Sequence, residues 1–431
     1  MSRRLIKYIL FFMVAAVFMA CSATKEKEKP KTTAAIPRVD VLPQKKEKLE
    51  YTTKLDDRTE TRIAQAVALG REGRSVEARQ SLEAIIKTEP KAYAAYYNIG
   101  ILDERAGKFE TAAASYRRAL DIEKDFTPAL INLVRVELRE GKNALATAES
   151  YIKKSPNNFE HQYAKLEAML GTGRDSEAIA IIRNLLKKDE ASTRLRYYMG
   201  VAEFHQGRYL LCQFVIDQAL SISTQDPEIY FLKALVDQKL DMPIEAQKSV
   251  DRALELNPNY LEALWLKGII SYETRNIVQA RELFTRAMAE NPSIPALYLN
   301  LGNVLKTQGM GDAAEAKLKE AEKLAPRDGD VMFSLGALYL SLDGLKLKSI
   351  SGMPRLKLAE QYFLKAKEQW RDGEQKKLAD EFLMKTKRAE EILQAEMDAA
   401  ELGADPFGAD PFGDSADPFG DNAGTSPSRV D

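Results

Sequence analysis

Small residues recur in this chain every 34 positions. Ala78, Ala112, Ala146, Ala178, Cys212, Ala246, Ala280 and Ala314 form one column, with a single step of 32 between Ala146 and Ala178. Gly200, Gly268, Gly302 and Gly336 share the register, as do Ala219, Ala253, Ala287 and Ala321, and then Pro258, Pro292 and Pro326. A period of this length marks a repeat architecture. Each unit is one supersecondary element that cannot bury its own apolar face, so neighbours must stack to make a core. The units begin near Thr59, Tyr93, Thr127, Phe159, Thr193, Pro227, Leu261, Pro295 and Gly329. The chain is 45% apolar, enough for a large core of this kind.

Within a unit the columns resemble the tetratricopeptide repeat. That pattern has a large residue at position 4, Leu-Gly at 7–8, a large apolar residue at 11, Ala at 20, an aromatic at 24, Ala at 27 and Pro at 32. The eighth unit carries Tyr298, Leu301-Gly302, Leu305, Ala314, Leu318, Ala321 and Pro326; the second carries Tyr96, Gly100, Ala112, Tyr116 and Ala119. The third and fourth depart from it, with Val134 and Leu166 at position 8. The resemblance implies an all-α fold, a right-handed solenoid of about nine helix–turn–helix repeats over residues 58–370. Small residues at 8, 20 and 27 let helices A and B approach, and the larger ones fill the gaps. Pro at 32 ends helix B. Gly73, Gly107, Gly141, Gly173, Gly207 and Gly309 sit between A and B, where a helix end calls for positive φ.

The ninth repeat is interrupted. Its expected Ala is delayed by eleven residues to Ala359, and Gly352 and Pro354 predict a loop across Gly344–Pro354. Residues 371–401 read as a charged C-terminal capping helix with Leu378, Phe382, Ile392 and Leu393 on its apolar side. Residues 402–431 carry three copies of Ala-Asp-Pro-Phe-Gly, and 401–431 hold seven acidic residues against one Arg. Such a segment is expected to be disordered. Phe407, Phe412 and Phe419, one per copy, are candidate docking motifs whose weak affinities would combine by avidity.

The N-terminus reads as a targeting segment over residues 1–20. Arg3, Arg4 and Lys7 precede an apolar run from Tyr8 to Ala20, short for a bilayer span and right for a signal peptide. Phe18-Met19-Ala20-Cys21 resembles a bacterial lipobox, with Phe18 where that pattern usually has Leu. The resemblance implies acylation of Cys21, an anchor stabilised by roughly 0.8 kcal/mol per buried CH₂. Ser22 follows Cys21 in place of the Asp that usually retains such proteins at the inner membrane, so an outer-membrane anchor with the body in the periplasm is expected. Residues 21–57, with Lys and Glu alternating and Pro at 30, 37 and 43, read as a flexible tether.

Charge and composition exclude several functions. Lys plus Arg is 63 against 64 Asp plus Glu, without the basic excess that nucleic-acid binding needs. Two His and two Cys cannot build a clustered zinc site or a disulfide scaffold. No phosphate-binding glycine loop, Gly-x-Ser-x-Gly or His-Glu-x-x-His is present, so no catalytic residues, metal or cofactor are assigned, and no small-molecule substrate is expected. His161 and His205 read as ordinary surface or groove residues, and Cys212 as a buried, inert thiol.

In the resembled family the concave face is lined by helix A. Positions 5 and 9 of repeats five to seven hold Tyr197, Val201, Phe231, Leu235, Trp265 and Ile269, which predict an exposed apolar patch and a partner groove. Asn98, Asn132 and Asn300 stand at position 6, but no Lys stands at position 5, so a carboxylate clamp is not expected. The function expected is a non-enzymatic, lipid-anchored scaffold for the protein partners of an envelope complex, serving gliding motility or pilus assembly. The alternative is an adaptor that docks and regulates a peptidoglycan hydrolase or protease.

Overall fold

The computed structural model describes residues 54–341 and 347–401. The segment read as a signal peptide, most of the segment read as a tether, Cys21, and Phe407, Phe412 and Phe419 lie outside the described residues. The described residues form helices without strands, and they pair as the period requires. Repeat one is α1 (Asp57–Arg71) and α2 (Ser75–Thr88), followed by α3 (Tyr93–Arg105) and α4 (Phe109–Ile122). Next come α5 (Thr127–Arg139) with α6 (Ala144–Lys154), then α7 (His161–Gly171) with α8 (Asp175–Leu186). Repeat five is α9 (Thr193–His205) and α10 (Tyr209–Ile222), and repeat six α11 (Pro227–Lys239) and α12 (Pro243–Leu256). Repeats seven and eight are α13 (Leu261–Glu273) with α14 (Ile277–Glu290) and α15 (Pro295–Thr307) with α16 (Gly311–Leu324). Then follow α17 (Gly329–Leu340), α18 (Gly352–Gln369) and α19 (Gly373–Glu401). The chain divides into two compact units, one running to Val331 and one from Met332.

In the first unit each helix A packs on its own helix B, and that B packs on the next A. The columns explain the closeness. A Cβ on Gly100 would lie 2.5 Å from Tyr116, and one on Gly268 would lie 2.6 Å from Phe284. Position 8 is therefore the floor against which the large residue at 24 rests, and Ala112, Ala246, Ala280 and Ala314 at position 20 are fully buried. Cys212 takes the same place, donating its thiol to the Gly200 carbonyl at 3.1 Å. Burial pushes its pKa up to about 12, so it stays a thiol.

In repeats one to eight the A–B turn is closed by the same long backbone bond. The amide of position 16 donates to the carbonyl of position 11, as in Arg74 to Leu69 at 3.0 Å and Lys108 to Asp103 at 2.8 Å. This six-to-one bond requires a left-handed residue at position 15. The six glycines read from the sequence supply it. Repeats six and seven make the same turn without glycine, using Asp241 at φ 58° and Arg275 at φ 66°.

The second unit restores the repeat after its interruption. Ala359 and Phe363 occupy the delayed positions 20 and 24, and a Cβ on Gly336 would lie 2.8 Å from Phe363. Phe333, Phe363 and Phe382 form an aromatic cluster with centroids 4.9–5.3 Å apart, and Trp370 joins Phe333 at 5.1 Å. One expectation is corrected here. Gly352 and Pro354 do not lie in a loop but open α18. Proline fits the first helical turn, where its missing N–H would have had no partner.

Candidate functional site

The inner helices A were expected to carry the site, and their geometry separates a buried row from a polar one. Tyr197, Phe231, Leu235 and Ile269 are 3%, 6%, 7% and 2% exposed, while Val201 and Trp265 are half-buried. The expectation of a six-residue exposed patch is therefore corrected for the first four. Position 5 of repeat six turns into the seam with the next repeat, where Phe231 meets Tyr260, the residue leading into α13, at 5.5 Å, and Tyr197 lies edge-on to its helix neighbour Tyr198 at 5.5 Å. Only Val201 and Trp265 keep part of their surface free.

Charged pairs run from repeat to repeat beside this row. Arg135 donates to Glu167 at 2.6 Å, and Tyr198 adds a second donor to the same carboxylate at 3.3 Å. Arg194 pairs with Glu228 one repeat on. That carboxylate raises the Arg194 pKa, and burial raises the pKa of Asp226, the N-cap of α11, next to them. These pairs cross the A–A seams, so they fix the angle between repeats as well as the charge of the inner surface. The position 6 asparagines are structural: Asn98 donates to the Ala94 carbonyl at 2.7 Å and Asn132 to the Tyr97 hydroxyl at 3.4 Å.

Cations gather at the ends of the A helices. Arg139 lies 4.8 Å above the Phe109 ring, and burial lowers its pKa. Burial alone lowers the Lys306 pKa to about 8. Arg71 and Arg105 line a small cavity between α1 and α3 with Val67, Gly70, Asn98 and Ile101.

The histidines occupy different places. His205 contacts Asp175 at 2.8 Å. His161 is not a surface residue as expected: it is fully buried, and neither ring nitrogen makes a well-formed hydrogen bond. Burial lowers its pKa, partly opposed by the Tyr151 backbone. Among the described residues no three His, Cys, Asp or Glu side chains converge as metal ligands, and no helix is long and apolar enough to cross a membrane.

One apolar feature escaped the sequence reading. Leu210, Ile244 and Val278 stand at position 18 of repeats five to seven and are 72%, 67% and 65% exposed. Phe214, one turn along α10 from Leu210, is exposed with them. The signal was available: position 18 is Glu110, Ser176 or Asp312 in other repeats, and only repeats five to seven make it aliphatic in succession.

A tetratricopeptide repeat family model matches residues 63–125 and 243–295. No curated protein matches the sequence. Among solved structures, the chain is similar to a thermophilic tetratricopeptide repeat protein of Thermus thermophilus, with 25% identity over 45% of this chain and 100% of that one, TM-score 0.37. It is also similar to a tetratricopeptide repeat protein of Parabacteroides merdae, with 16% identity over 77% and 99%, TM-score 0.35. A third is the Cut9–Hcn1 hetero-tetramer of APC/C, with 12% identity over 79% and 78%, TM-score 0.37. The described residues form an all-α array of tetratricopeptide-type repeats.

Proposed function

We propose that this chain is a protein–protein interaction scaffold, held at the outer membrane through acylated Cys21 with its repeats in the periplasm. It would organise a multiprotein envelope machine of the gliding-motility or pilus-assembly type. The observation that carries the scaffold reading is the register of the inner helices. Stacking offers one side chain per repeat along a continuous surface, and inter-repeat pairs such as Arg135–Glu167 and Arg194–Glu228 hold that surface in one shape. A preformed surface binds without a large ordering cost. The membrane part rests on the basic start, the apolar run and the lipobox-like Phe18-Met19-Ala20-Cys21. Partner contact is assigned to the inner side of repeats five to seven, where Val201 and Trp265 retain accessible surface.

Photo-crosslinking in intact cells tests this. A photoreactive residue replaces Val201 or Trp265 in one set of variants and Leu210 or Ile244 in another. The reading expects a discrete crosslinked protein from the inner set. Crosslinks from the outer set alone would move the partner to the other face. No crosslink from any position would overturn the scaffold reading.

A further inference from the structure

Two distant repeats of the first unit touch. Arg105, the last residue of α3 in repeat two, reaches Glu290, the last residue of α14 in repeat seven, at 3.5 Å. Both side chains are largely buried there. Two residues beyond Arg105, a Cβ built on Gly107 would lie 3.6 Å from the Cβ of Ser293. Arg71, one repeat before Arg105 in the same register, and Arg286 also favour the charged form of Glu290, against the burial that raises its pKa. The helix pairs that pack along their length all join the same or adjacent repeats, so the seam between repeats two and seven is an edge contact and not a packed face.

We propose that this seam is a latch: repeats two to seven curl until their edges meet, and the Arg105–Glu290 pair closes the turn. No helix pair packs along its length across the seam, so the Arg105 and Glu290 charges, and more weakly salt because the pair is largely buried, set how often it is closed. Closing brings the edge of repeat two onto the edge of repeat seven and narrows the way to the inner helices A. Opening parts the edges and admits a partner segment. The latch goes beyond the scaffold reading, because its state is a distance within the chain and needs no partner to be measured.

Disulfide trapping reads that distance. The separation of 3.6 Å falls in the Cβ–Cβ range of a disulfide, about 3.5–4.5 Å. The full chain carrying Cys21→Ala and Cys212→Ala serves as background, and Gly107→Cys with Ser293→Cys is introduced. Gly107 has φ 71°, where cysteine is strained, so circular dichroism verifies folding. A second readout leaves Gly107 intact, using fluorophores on cysteines at the exposed positions Lys108 and Ala289. The expected result is rapid disulfide formation and high transfer efficiency. Arg105→Glu should lower the trapping rate about tenfold, a shift of the size a lost pair and a gained repulsion produce. Arg105→Glu with Glu290→Arg should restore it in part, since Arg71 and Arg286 oppose an arginine at position 290, and 1 M salt should lower transfer efficiency relative to 50 mM. A folded double-cysteine chain that does not oxidise, together with low transfer efficiency, would overturn the contact. Trapping and transfer that ignore charge reversal and salt would overturn the latch.

Discussion

Arg275 holds a backbone angle of φ 66° that side chains other than glycine rarely adopt. The reason is the turn it closes, in which the Asn276 amide donates to the Ser271 carbonyl at 2.8 Å. The left-handed region costs a non-glycine residue roughly 1–2 kcal/mol, and glycine gives back roughly 0.5–1 kcal/mol of that in chain entropy. Arg275→Gly should therefore raise stability by about 0.5–1 kcal/mol in urea unfolding. Asp241→Gly should raise it less, because a short polar side chain tolerates this region better. A loss of stability on Arg275→Gly would contradict this account of the turn. The glycine turns were legible because glycine announces positive φ; these two were not, because the demand comes from a hydrogen bond and not from residue type. His161 was also illegible, since nothing in its neighbours' identities says that it is covered. Its folded pKa is lowered, so the fold favours the neutral ring. The stability this provides is complete above the unfolded pKa of about 6.5 and is lost as pH falls below it. Burial raises the neighbouring Glu160 pKa, which acts in the opposite sense, so the difference between variants is the informative quantity. The wild type should lose more stability than His161→Gln between pH 7.5 and 5 in urea titrations; parallel curves would show that His161 does not titrate on unfolding.

At the scale of the helix, one repeat read alone misplaces a side. Position 5 of helix A looks outward in a single hairpin, but the following repeat covers it, and so Phe231 packs on Tyr260. Phe231→Ala should cost about 3–5 kcal/mol, the range for truncating a buried aromatic. Trp265→Ala should cost less, since Trp265 is only half-buried. Equal costs in urea unfolding would show that the two positions are buried alike. Helix pairing and the small-residue columns were legible because adjacent repeats reproduce the same contact along the array. The start of α18 was not, because proline and glycine open helices as well as loops. Its aromatic cluster gives a test of the second unit. Phe363→Ala removes a fully buried ring from between Phe333 and Phe382. Hydrogen exchange over α18 and α19 should rise strongly, and unchanged protection there would mean that the cluster does not hold these helices.

Over the whole molecule, the sequence made the number of repeats and their all-α class legible, because period and composition are properties of the chain itself. It could not show which repeats meet after the array curls: Arg105 and Glu290 carry no mark that pairs them. The anchor belongs to this scale too. If Cys21 is acylated, Cys21→Ala should leave the precursor unprocessed and the protein without fatty-acid label. Normal processing and membrane fractionation of that variant would remove the anchor from the account. The central claim is that the chain works by holding other proteins. Its most direct test is the mass of the assembly extracted from native membranes in mild detergent, measured by native mass spectrometry. The account predicts a mass well above the 48.3 kDa of the full-length, unprocessed chain, with at least one different protein present in fixed ratio. A chain that emerges alone, or only with copies of itself, would contradict it.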